Sequence, residues 1–504
     1  MPQGNLSYQY QNLTSQTALT NYAGLALYLD LVYATGLLQE IQSCLQVRTG
    51  HQGWTDTQII LTLLMLNFIG GQSISDVELL ENDKGLCRLL NYLEQHELKL
   101  ISGATEPFRW RKVKSRTFPS ATSISDFLSR FDDASQILLR KPNTAFIPES
   151  KKILTILNEL NKKLISFTQK KSFQSIATLD QDATLVPTYK KEALFCYKHY
   201  KAYQPLNTYW FEQGLLIHSE FRDGNVPAGF NELRVLKEAL QQLPDSVKTV
   251  FLRTDSAGYQ EDLLRYCAEG KNERFGVINF AVSIKVTAEF KQAVLALEEN
   301  QWHPLFDKND KTILTQQEWA EVCFVPGWIG YKKSNPDYRF IAIREHLTHV
   351  NKPIEEFPFP VLEKDNSYYK LFGVITNRLN TPGQEIIHWH RERCGKSEEV
   401  HKTQKDDLAG GRLPSKSFGS NAAWWQIMIL AFNLEAIMQR LVLGDEWKYC
   451  HLKALRHYFI NKPAHVIFHG RRIIIRYSSQ ENTLVHWLVD MRGRILVLGR
   501  DPPH

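Results

Sequence analysis

The chain has 504 residues, 43% of them hydrophobic and 23% charged, which suits two to four folded domains and excludes a mostly disordered protein. Its 60 basic and 54 acidic residues leave a formal net charge of +6, which permits a nucleic-acid partner but does not by itself indicate one. Seven scattered cysteines without a C-x-x-C pair argue against a disulfide framework or a structural zinc site, and predict reduced thiols.

The N-terminus and the apolar stretches give no sign of a membrane protein. Residues 1–16 are polar and carry no basic charge, unlike a signal peptide. The longest apolar stretch, Ile59 to Ile69, is interrupted by Thr62 and Asn67 and falls short of the roughly 20 residues that a membrane span needs. The sequence therefore predicts a soluble, cytoplasmic protein with no membrane partner.

Residues 20–170 have mainly helical patterns. Ile59 to Phe68 is predicted to be a buried helix, and Ser123 to Phe131 a short helix after Pro119. Just before this short helix, residues 108–116 contain five basic residues interleaved with aromatic ones. This composition suits contacts with DNA phosphates as well as it suits a solvated basic loop. The candidate DNA-binding residues of this segment are Arg109, Lys112 and Arg116.

Strands and helices alternate from about residue 174 onward, which predicts an α/β domain. The predicted strands are Ser175 to Val186, a strand pair within Tyr209 to Phe221, Val247 to Thr254, and Phe275 to Val286; the predicted helices are Asn231 to Leu243 and Glu261 to Ala268. Residues 300–380 predict mainly strands separated by Pro and Gly turns. Two long helices, Gln384 to Leu408 and Ser420 to Leu443, are expected next, followed by a hairpin around His469-Gly470-Arg471.

The first candidate carboxylates lie in the strand segment 179–184. Because side chains alternate along a strand, Asp180, Asp182 and Thr184 share one face, while Leu179 and Ala183 can pack into a core on the other. Neighbouring carboxylates repel each other unless a cation neutralises them. An exposed strand face with two solvated acids explains the pattern equally well.

Two more carboxylates stand out by their position. Asp255 ends the apolar strand 250–254, where ligands bind in open α/β sheets, although an ordinary helix cap is the simpler interpretation of this residue alone. Glu398 shares a helix face with Arg391, Lys402 and Lys405, an arrangement also typical of a charged surface helix. Gly395 in the same helix suggests a local break or a close backbone approach.

Taken together, an acid on a first strand, an acid at the end of a later strand and an acid on a distant helix suit metal-dependent phosphoryl transfer. Carboxylate oxygens are the ligands that Mg²⁺, or alternatively Mn²⁺, prefers. Two such ions stabilise the attacking and leaving oxygens of a displacement at phosphorus. The sequence thus predicts Asp182, Asp255 and Glu398 as metal ligands and catalytic residues.

From about residue 20 to 445, the sequence resembles the ribonuclease-H-like DDE transposases of bacterial insertion sequences, and most of all the insertion sequence 1380 group. The resemblance rests on three motifs: a D-x-D-[ST/A]-T strand at 180–184, an R-x-D-S-[GA] motif at 253–257, and the Glu-x₆-Lys spacing of a Y-R-E-K signature. It implies that Asp182, Asp255 and Glu398 bind the metals, with Asp180 and Thr184 as supporting neighbours. Asn421 and Asn433 also match family positions.

The third motif departs from the family pattern. Cys394 stands where the signature has arginine, and Arg391 stands where it has tyrosine. Either Arg391 or Arg393 takes over the phosphate contact, or a one-residue insertion shifts the register. Glu398 is preferred to Glu399 because only Glu398 is followed seven residues later by a lysine, Lys405. Lys402 matches the intermediate lysine of the family.

The resemblance implies an enzyme that cuts double-stranded DNA at terminal inverted repeats and joins the freed 3′-hydroxyl to target DNA. It further implies a homodimer in the bacterial cytoplasm, associated with the nucleoid. No nucleotide cofactor is expected, since Gly410-Gly411 lacks the lysine and spacing of a phosphate loop. A nuclease without joining activity and an inactive DNA-binding protein are the alternatives.

The predicted fold is α/β, with a ribonuclease-H-like catalytic core preceded by a mainly helical DNA-binding region. The expected domains are a helical N-terminal DNA-binding region (1–170), a catalytic core (171–300 and 381–445), a β-rich insertion (301–380) and a C-terminal region (446–504).

Overall fold

The structure is a computed structural model that describes residues 18–48, 53–96, 116–149, 151–310, 312–329, 336–348, 353–447, 450–469 and 472–500. The chain divides into two compact units. Unit 1 comprises Met1–Phe131, Asp407–Ala409 and Ile437–His504, and unit 2 comprises Asp132–Asp406 and Gly410–Ala436.

The α-helices are α1 Leu25–Ala34, α2 Leu37–Cys44, α3 Asp56–Ile69, α4 Val77–Glu81, α5 Lys84–His96, α6 Ala121–Ser129, α7 Ala134–Leu139, α8 Lys152–Lys171, α9 Glu232–Gln242, α10 Glu261–Ala268, α11 Ala288–Leu295, α12 Gly383–Lys402, α13 Phe418–Ile437, α14 Leu452–Leu455 and α15 Asn482–Leu498. The strands are β1 Leu19–Thr20, β2 Ile176–Ala183, β3 Val186–Pro187, β4 Ala202–Tyr203, β5 Leu206–Trp210, β6 Leu215–Glu220, β7 Thr249–Thr254, β8 Asn279–Ser283, β9 His303–Phe306, β10 Leu314–Val322, β11 Arg339–His346, β12 Val361–Lys364, β13 Ser367–Thr376, β14 Ala464–His469 and β15 Arg472–Arg476.

Unit 1 combines helices with a three-stranded sheet of order β1-β14-β15. Helix α3 is almost completely buried, and Thr55 and Gln58 form a capping box at its start, so that the first free N–H groups of the helix are bonded. Arg456 donates hydrogen bonds to the carbonyl oxygens of Phe68, Asn67 and Asp407. The bonds to Phe68 and Asn67 satisfy carbonyl groups at the end of α3, where the usual partner four residues on is missing.

Unit 2 is built on one ten-stranded sheet of order β6-β5-β2-β7-β8-β13-β11-β10-β9, with β12 paired to β13. Strands β2, β7 and β8 run parallel to one another, whereas the other neighbours in the sheet are antiparallel. Helix α12 packs against β2, β7, β8 and β10. Its apolar side chains Ile386 and Ile387 are fully buried against Ile341, Val374 and other residues of the sheet. This packing fixes the position of the polar residues further along α12.

Helix α13 closes one edge of the sheet of unit 2 through amide side chains. Asn433 accepts a hydrogen bond from the backbone N–H of Leu216 on the edge strand β6 (2.9 Å) and donates one to the carbonyl of the same residue (2.8 Å). Gln426, two helical turns earlier, donates to the carbonyl of Ser219 (2.6 Å). The side chains of α13 thereby take the place of a further strand beside β6.

By length and composition, the segment Phe418–Leu443 could cross a membrane, but 78% of its most apolar window is buried inside the protein. The core helix of a globular protein has the same properties, and the buried hydrogen bonds of Asn433 to Leu216 agree with such a core position.

The structure reproduces most of the predicted elements of unit 2. Helix α10 has the predicted bounds. In unit 1, the predicted hairpin near the C-terminus is present as β14 and β15. The suggestion about Gly395 was wrong: α12 continues through this residue, and an added Cβ would meet no atom within 4 Å. The predicted helix 384–408 ends earlier as an α-helix, because residues Thr403–Asp407 form a π-helical turn.

We expect Asn433→Leu to lower the free energy of unfolding by about 2–3 kcal/mol, because the N–H of Leu216 loses its partner in a buried setting. Chemical denaturation of the full chain measures this change. Asn300→Leu replaces an exposed asparagine of the same unit and serves as the control, with an expected change within about 0.5 kcal/mol. Equal effects of the two substitutions would contradict the role assigned to Asn433.

Candidate active site

Two carboxylates emerge side by side at the carboxyl ends of neighbouring parallel strands. Strands β2 and β7 are in register with Gln181 opposite Thr254. The next residue along each strand, Asp182 and Asp255, therefore lies at the same edge of the sheet. The side chain of Asp182 is 23% exposed, so it is accessible from outside. Ligands of open α/β sheets bind at this kind of edge.

The neighbouring acid, Asp180, is neutralised from within the protein. Arg253 on β7 forms two hydrogen bonds with the Asp180 carboxylate, at 2.6 and 2.8 Å, and both side chains are almost completely buried. Burial raises the pKa of Asp180, while the guanidinium of Arg253 opposes that shift. Asp180 is thus part of the interior, whereas Asp182, two residues later, reaches the surface.

The end of β7 is held by hydrogen bonds on both sides of Asp255. The carboxylate of Asp255 accepts a hydrogen bond from the backbone N–H of Ala257 (2.8 Å) and caps the short 3-10 turn Ser256–Gly258. His390 on α12 lies 3.1 Å, through Nε2, from the carbonyl oxygen of Thr254. Burial lowers the pKa of His390 to about 3, so its ring is neutral and can donate this bond. Asp255 therefore combines the predicted cap with a fixed position beside Asp182.

Arg393 of α12 provides the positive charge that faces Asp182. Its Nη1 donates a hydrogen bond to Oδ2 of Asp182 at 3.0 Å, and its side chain is only 8% exposed. Partial burial and the nearby charge of Asp255 raise the pKa of Asp182 against the opposing effect of Arg393, to a net value of about 6. The pair of aspartates is therefore a site of unfavourable negative charge, which a further cation would relieve.

A third carboxyl group near the pair was not found by sequence reasoning. Glu232, at the start of α9, is 1% exposed, and its Oε1 accepts a hydrogen bond from the hydroxyl of Thr254 (2.9 Å). Burial raises the pKa of Glu232 to about 8, and the charges of Asp255 and Asp182 contribute to the shift. The only sequence signal was an acid in the first turn of a predicted helix, which is an ordinary position for glutamate.

Glu398 lies outside the buried face of α12 that packs on the sheet. Arg393, Ser397 and Val400 are buried, whereas Glu398 and Glu399 are exposed. One residue along an α-helix corresponds to a rotation of about 100°, so Ser397 occupies the inward position next to Arg393. Glu399 pairs with Lys396 at 3.0 Å. The structure therefore brings Asp182 and Asp255 together without bringing Glu398 to them.

The predicted DNA-binding and supporting residues lie in different environments. Arg391 points to β10 and bonds Gln317 (2.7 Å), so Arg393 is the arginine at Asp182. Lys402 is exposed, and Lys405 is half-buried with a pKa that burial lowers. Thr184 is buried just beyond β2.

In unit 1, Arg116 pairs with Glu78 at 2.7 Å. Arg109 and Lys112 lie outside the described residues.

The two aspartates fit a divalent cation by their chemistry. Both offer carboxylate oxygens, which hard cations such as Mg²⁺ prefer, and they repel each other in the absence of such an ion. Within the part of the chain that the structure describes, no cluster of three or more His, Cys, Asp or Glu side chains has the geometry of a metal site. Asp182 and Asp255 thus form two thirds of the predicted ligand set.

A model of the family described as transposase DDE domain group 1 matches residues 13–484 of the chain. The chain is also similar to the solved structure described as a piggyBac transposase synaptic complex with hairpin DNA, at 10% sequence identity and a TM-score of 0.40. That alignment covers 97% of this chain and 85% of the other. No curated protein matches the chain.

We expect Glu232 to make stability depend on pH. The folded protein holds the Glu232 proton up to about pH 8, above the ordinary value of 4.5. Protonated Glu232 therefore contributes fully to the free energy of unfolding below pH 4.5. Above that pH its contribution declines by about 1.4 kcal/mol per pH unit, until it is lost above the folded pKa.

Glu232→Gln removes this decline, because the amide cannot ionise. Urea unfolding at several pH values between these limits should show the variant gaining stability over the wild type as the pH rises. Glu273→Gln changes an exposed carboxyl of the same unit and serves as the control. Parallel pH profiles for wild type and Glu232→Gln would contradict a protonated Glu232.

Proposed function

The chain belongs to the family of DDE transposases, and on that basis we propose that it cuts DNA at the ends of an insertion sequence and joins the 3′-hydroxyl to target DNA. The observation that supports this activity most directly is the pairing of Asp182 and Asp255 at adjacent strand ends. We assign these two residues as ligands of Mg²⁺, with Mn²⁺ as an alternative. When bound there, such ions supply electrostatic stabilisation of the attacking and leaving oxygens of phosphoryl transfer.

The protein groups around the aspartates have distinct roles in this proposal. Asp182 and Asp255 would hold the ions at the edge of the sheet. Arg393 pairs with Asp182 in the structure and would contact a backbone phosphate of the bound DNA. Lys402 and Lys405, further along the chain from Arg393, hold the adjoining DNA backbone. His390 and Glu232 keep Asp255 in place through Thr254.

The finer classification is part of the same proposal. The run β6-β5-β2-β7-β8, in which three antiparallel strands are followed by two parallel ones, supports a ribonuclease-H-like core. The motifs at residues 180–184 and 253–257 support the insertion sequence 1380 group. A homodimer would bring two element ends together, and the basic residues Arg109, Lys112 and Arg116 would help to bind the terminal inverted repeats.

One observation favours a second function, a DNA-binding protein without cleavage activity. Ser397, which has no carboxylate, holds the inward position on α12, while Glu398 is exposed. In the transposase proposal, Glu398 would complete the ligand set, and the last turns of α12 would have to rotate or shift to bring it there. In the second proposal, this movement does not occur and the two aspartates remain an incomplete site.

We expect Asp255→Asn to lower Mg²⁺-dependent nicking at the repeat ends by more than about 100-fold, since changes behind metal ligands already cost about 10–100-fold. DNA binding should stay nearly unchanged. The assay follows cleavage and strand transfer on DNA that carries the flanking inverted repeats. Asp245→Asn is the matched control, because Asp245 is exposed at the opposite end of β7. Nicking by Asp255→Asn at the wild-type rate would exclude the proposed site, and DNA binding without nicking by the wild type would favour the second function.

The choice between neighbouring glutamates can be tested in the same assay. We expect Glu398→Gln to lose nicking by more than about tenfold, and Glu399→Gln to retain it, because Glu399 is engaged with Lys396 on the helix surface. The opposite result would move the register by one residue. Full activity of both variants would show that neither residue is a metal ligand.

A further inference from the structure

An exposed hairpin carries aromatic rings and lysines in the segment that follows β2, the strand of Asp182. We call residues 188–201, between β3 and β4, the aromatic hairpin. Tyr189 is fully exposed, Phe195 is 60% exposed and Tyr197 is 68% exposed. Large apolar rings are normally buried in a folded protein, so three exposed rings in one short segment indicate a binding surface.

The aromatic hairpin is well anchored by its backbone. Phe195 and Lys201 form an antiparallel bridge, and the backbone N–H of Cys196 donates to the carbonyl of Tyr200 at 2.8 Å. The turn closes with the N–H of His199 bonded to the carbonyl of Cys196 (2.9 Å), and His199 adopts a left-handed conformation with a φ of 62°. Ala193 and Cys196 are buried beneath. The rings are therefore displayed by an ordered turn.

The hairpin lies at the carboxylate edge of the sheet. It begins six residues after Asp182, and Asn207, which follows β4, lies directly opposite Asp182 in the sheet. Since an extended chain spans at most about 3.6 Å per residue, the backbone at the start of the hairpin, at Tyr189, lies within about 25 Å of that of Asp182. The chain both leaves and returns at the end of β2 where the two aspartates emerge.

The charge of this segment identifies the partner. Residues 188–201 contain four lysines and one glutamate. Lys191 and Lys198 are exposed, and the Nζ of Lys198 lies 5.7 Å from the ring of Tyr197. Phosphates contact such lysines, while aromatic rings stack on the faces of bases, which are open only where DNA is unpaired. A duplex would use the lysines alone and leave the rings in water.

We propose that the aromatic hairpin binds unpaired nucleotides of the DNA strand that passes the paired aspartates, with Phe195 and Tyr197 stacking on bases and Lys191 and Lys198 contacting phosphates. This inference rests on the proposed function, because it places DNA at the carboxylates. It adds a second requirement, namely that the DNA next to the cut is opened and held open by the protein.

The test compares the binding of two fluorescent DNA probes without divalent metal, so that no cleavage occurs. One is a short duplex with a single-stranded oligothymidine tail, and the other is the same duplex with blunt ends. Fluorescence anisotropy gives the dissociation constants. The wild type should prefer the tailed probe, and the double variant Phe195→Ala, Tyr197→Ala should bind that probe about tenfold or more weakly, with little change for the blunt one.

Phe173→Ala is the matched control, because Phe173 is 65% exposed but precedes β2, at the opposite end of that strand. It should retain the preference for the tail. Melting temperatures of all variants verify that they are folded. For the tailed probe, the logarithm of the binding constant falls linearly with the logarithm of the salt concentration. Replacing Lys191 and Lys198 by serine should make this slope less steep by about 1.4, because each single-strand phosphate contact contributes about 0.7.

The outcomes separate this inference from the proposed function. If the double variant retains the wild-type preference for the tail, or if the wild type has none, the inference is overturned and the rings serve another partner, such as a protein. Asp255→Asn should bind the tailed probe like the wild type. The wild type could fail to nick DNA while the double variant loses the preference for the tail that the wild type shows. This pair of results would refute the transposase proposal and still support the hairpin as a binding surface for unpaired DNA.

Discussion

The buried pair of Arg253 and Asp180 is the interaction on which the architecture of the site depends. Arg253 is completely buried, and besides Asp180 it bonds the carbonyl of Trp389 and the carboxylate of Glu392 on α12. One guanidinium thus connects β2, β7 and α12. Removal of Arg253 would leave the buried Asp180 carboxylate without its ion-pair partner, at a cost of about 3–5 kcal/mol. The arrangement also frees Asp182 to be the carboxylate of β2 that remains available at the surface.

Simple rules predicted where the two aspartates lie. Alternation along a strand separated Asp182 from the apolar face of β2, and the position of Asp255 after an apolar strand predicted a place at the edge of the sheet. The sequence could not show that Arg253 would pair with Asp180, because that contact depends on the register between β2 and β7, which are more than 60 residues apart in the chain. The sequence suggested that a cation neutralises the neighbouring acids Asp180 and Asp182, and for Asp180 that cation is the guanidinium of Arg253.

Helix α12 shows why the rest was harder to predict. The spacing of charges along residues 391–405 defines a face, but does not tell which face packs on the sheet. Ile386, Ile387 and His390 decide this, because their burial turns Arg393 and Ser397 inward and leaves Glu398 outside. Glu232 and the aromatic hairpin were also invisible to pattern analysis, since the first resembles an ordinary helix start and the second an ordinary loop. Glu232 becomes visible only through its bond to Thr254 beside Asp255, and the aromatic hairpin only through its position after β2.

The amide side chains of α13 affect the tendency of this protein to aggregate through its edge strand β6. An edge strand with free N–H and C=O groups is a template for pairing with a strand of another molecule. At β6, such an incoming strand would first have to displace the Asn433 amide from Leu216. The same asparagine that stabilises the sheet therefore discourages aggregation, and during expression its loss would reduce the yield of soluble protein even where the folded molecules keep an intact site.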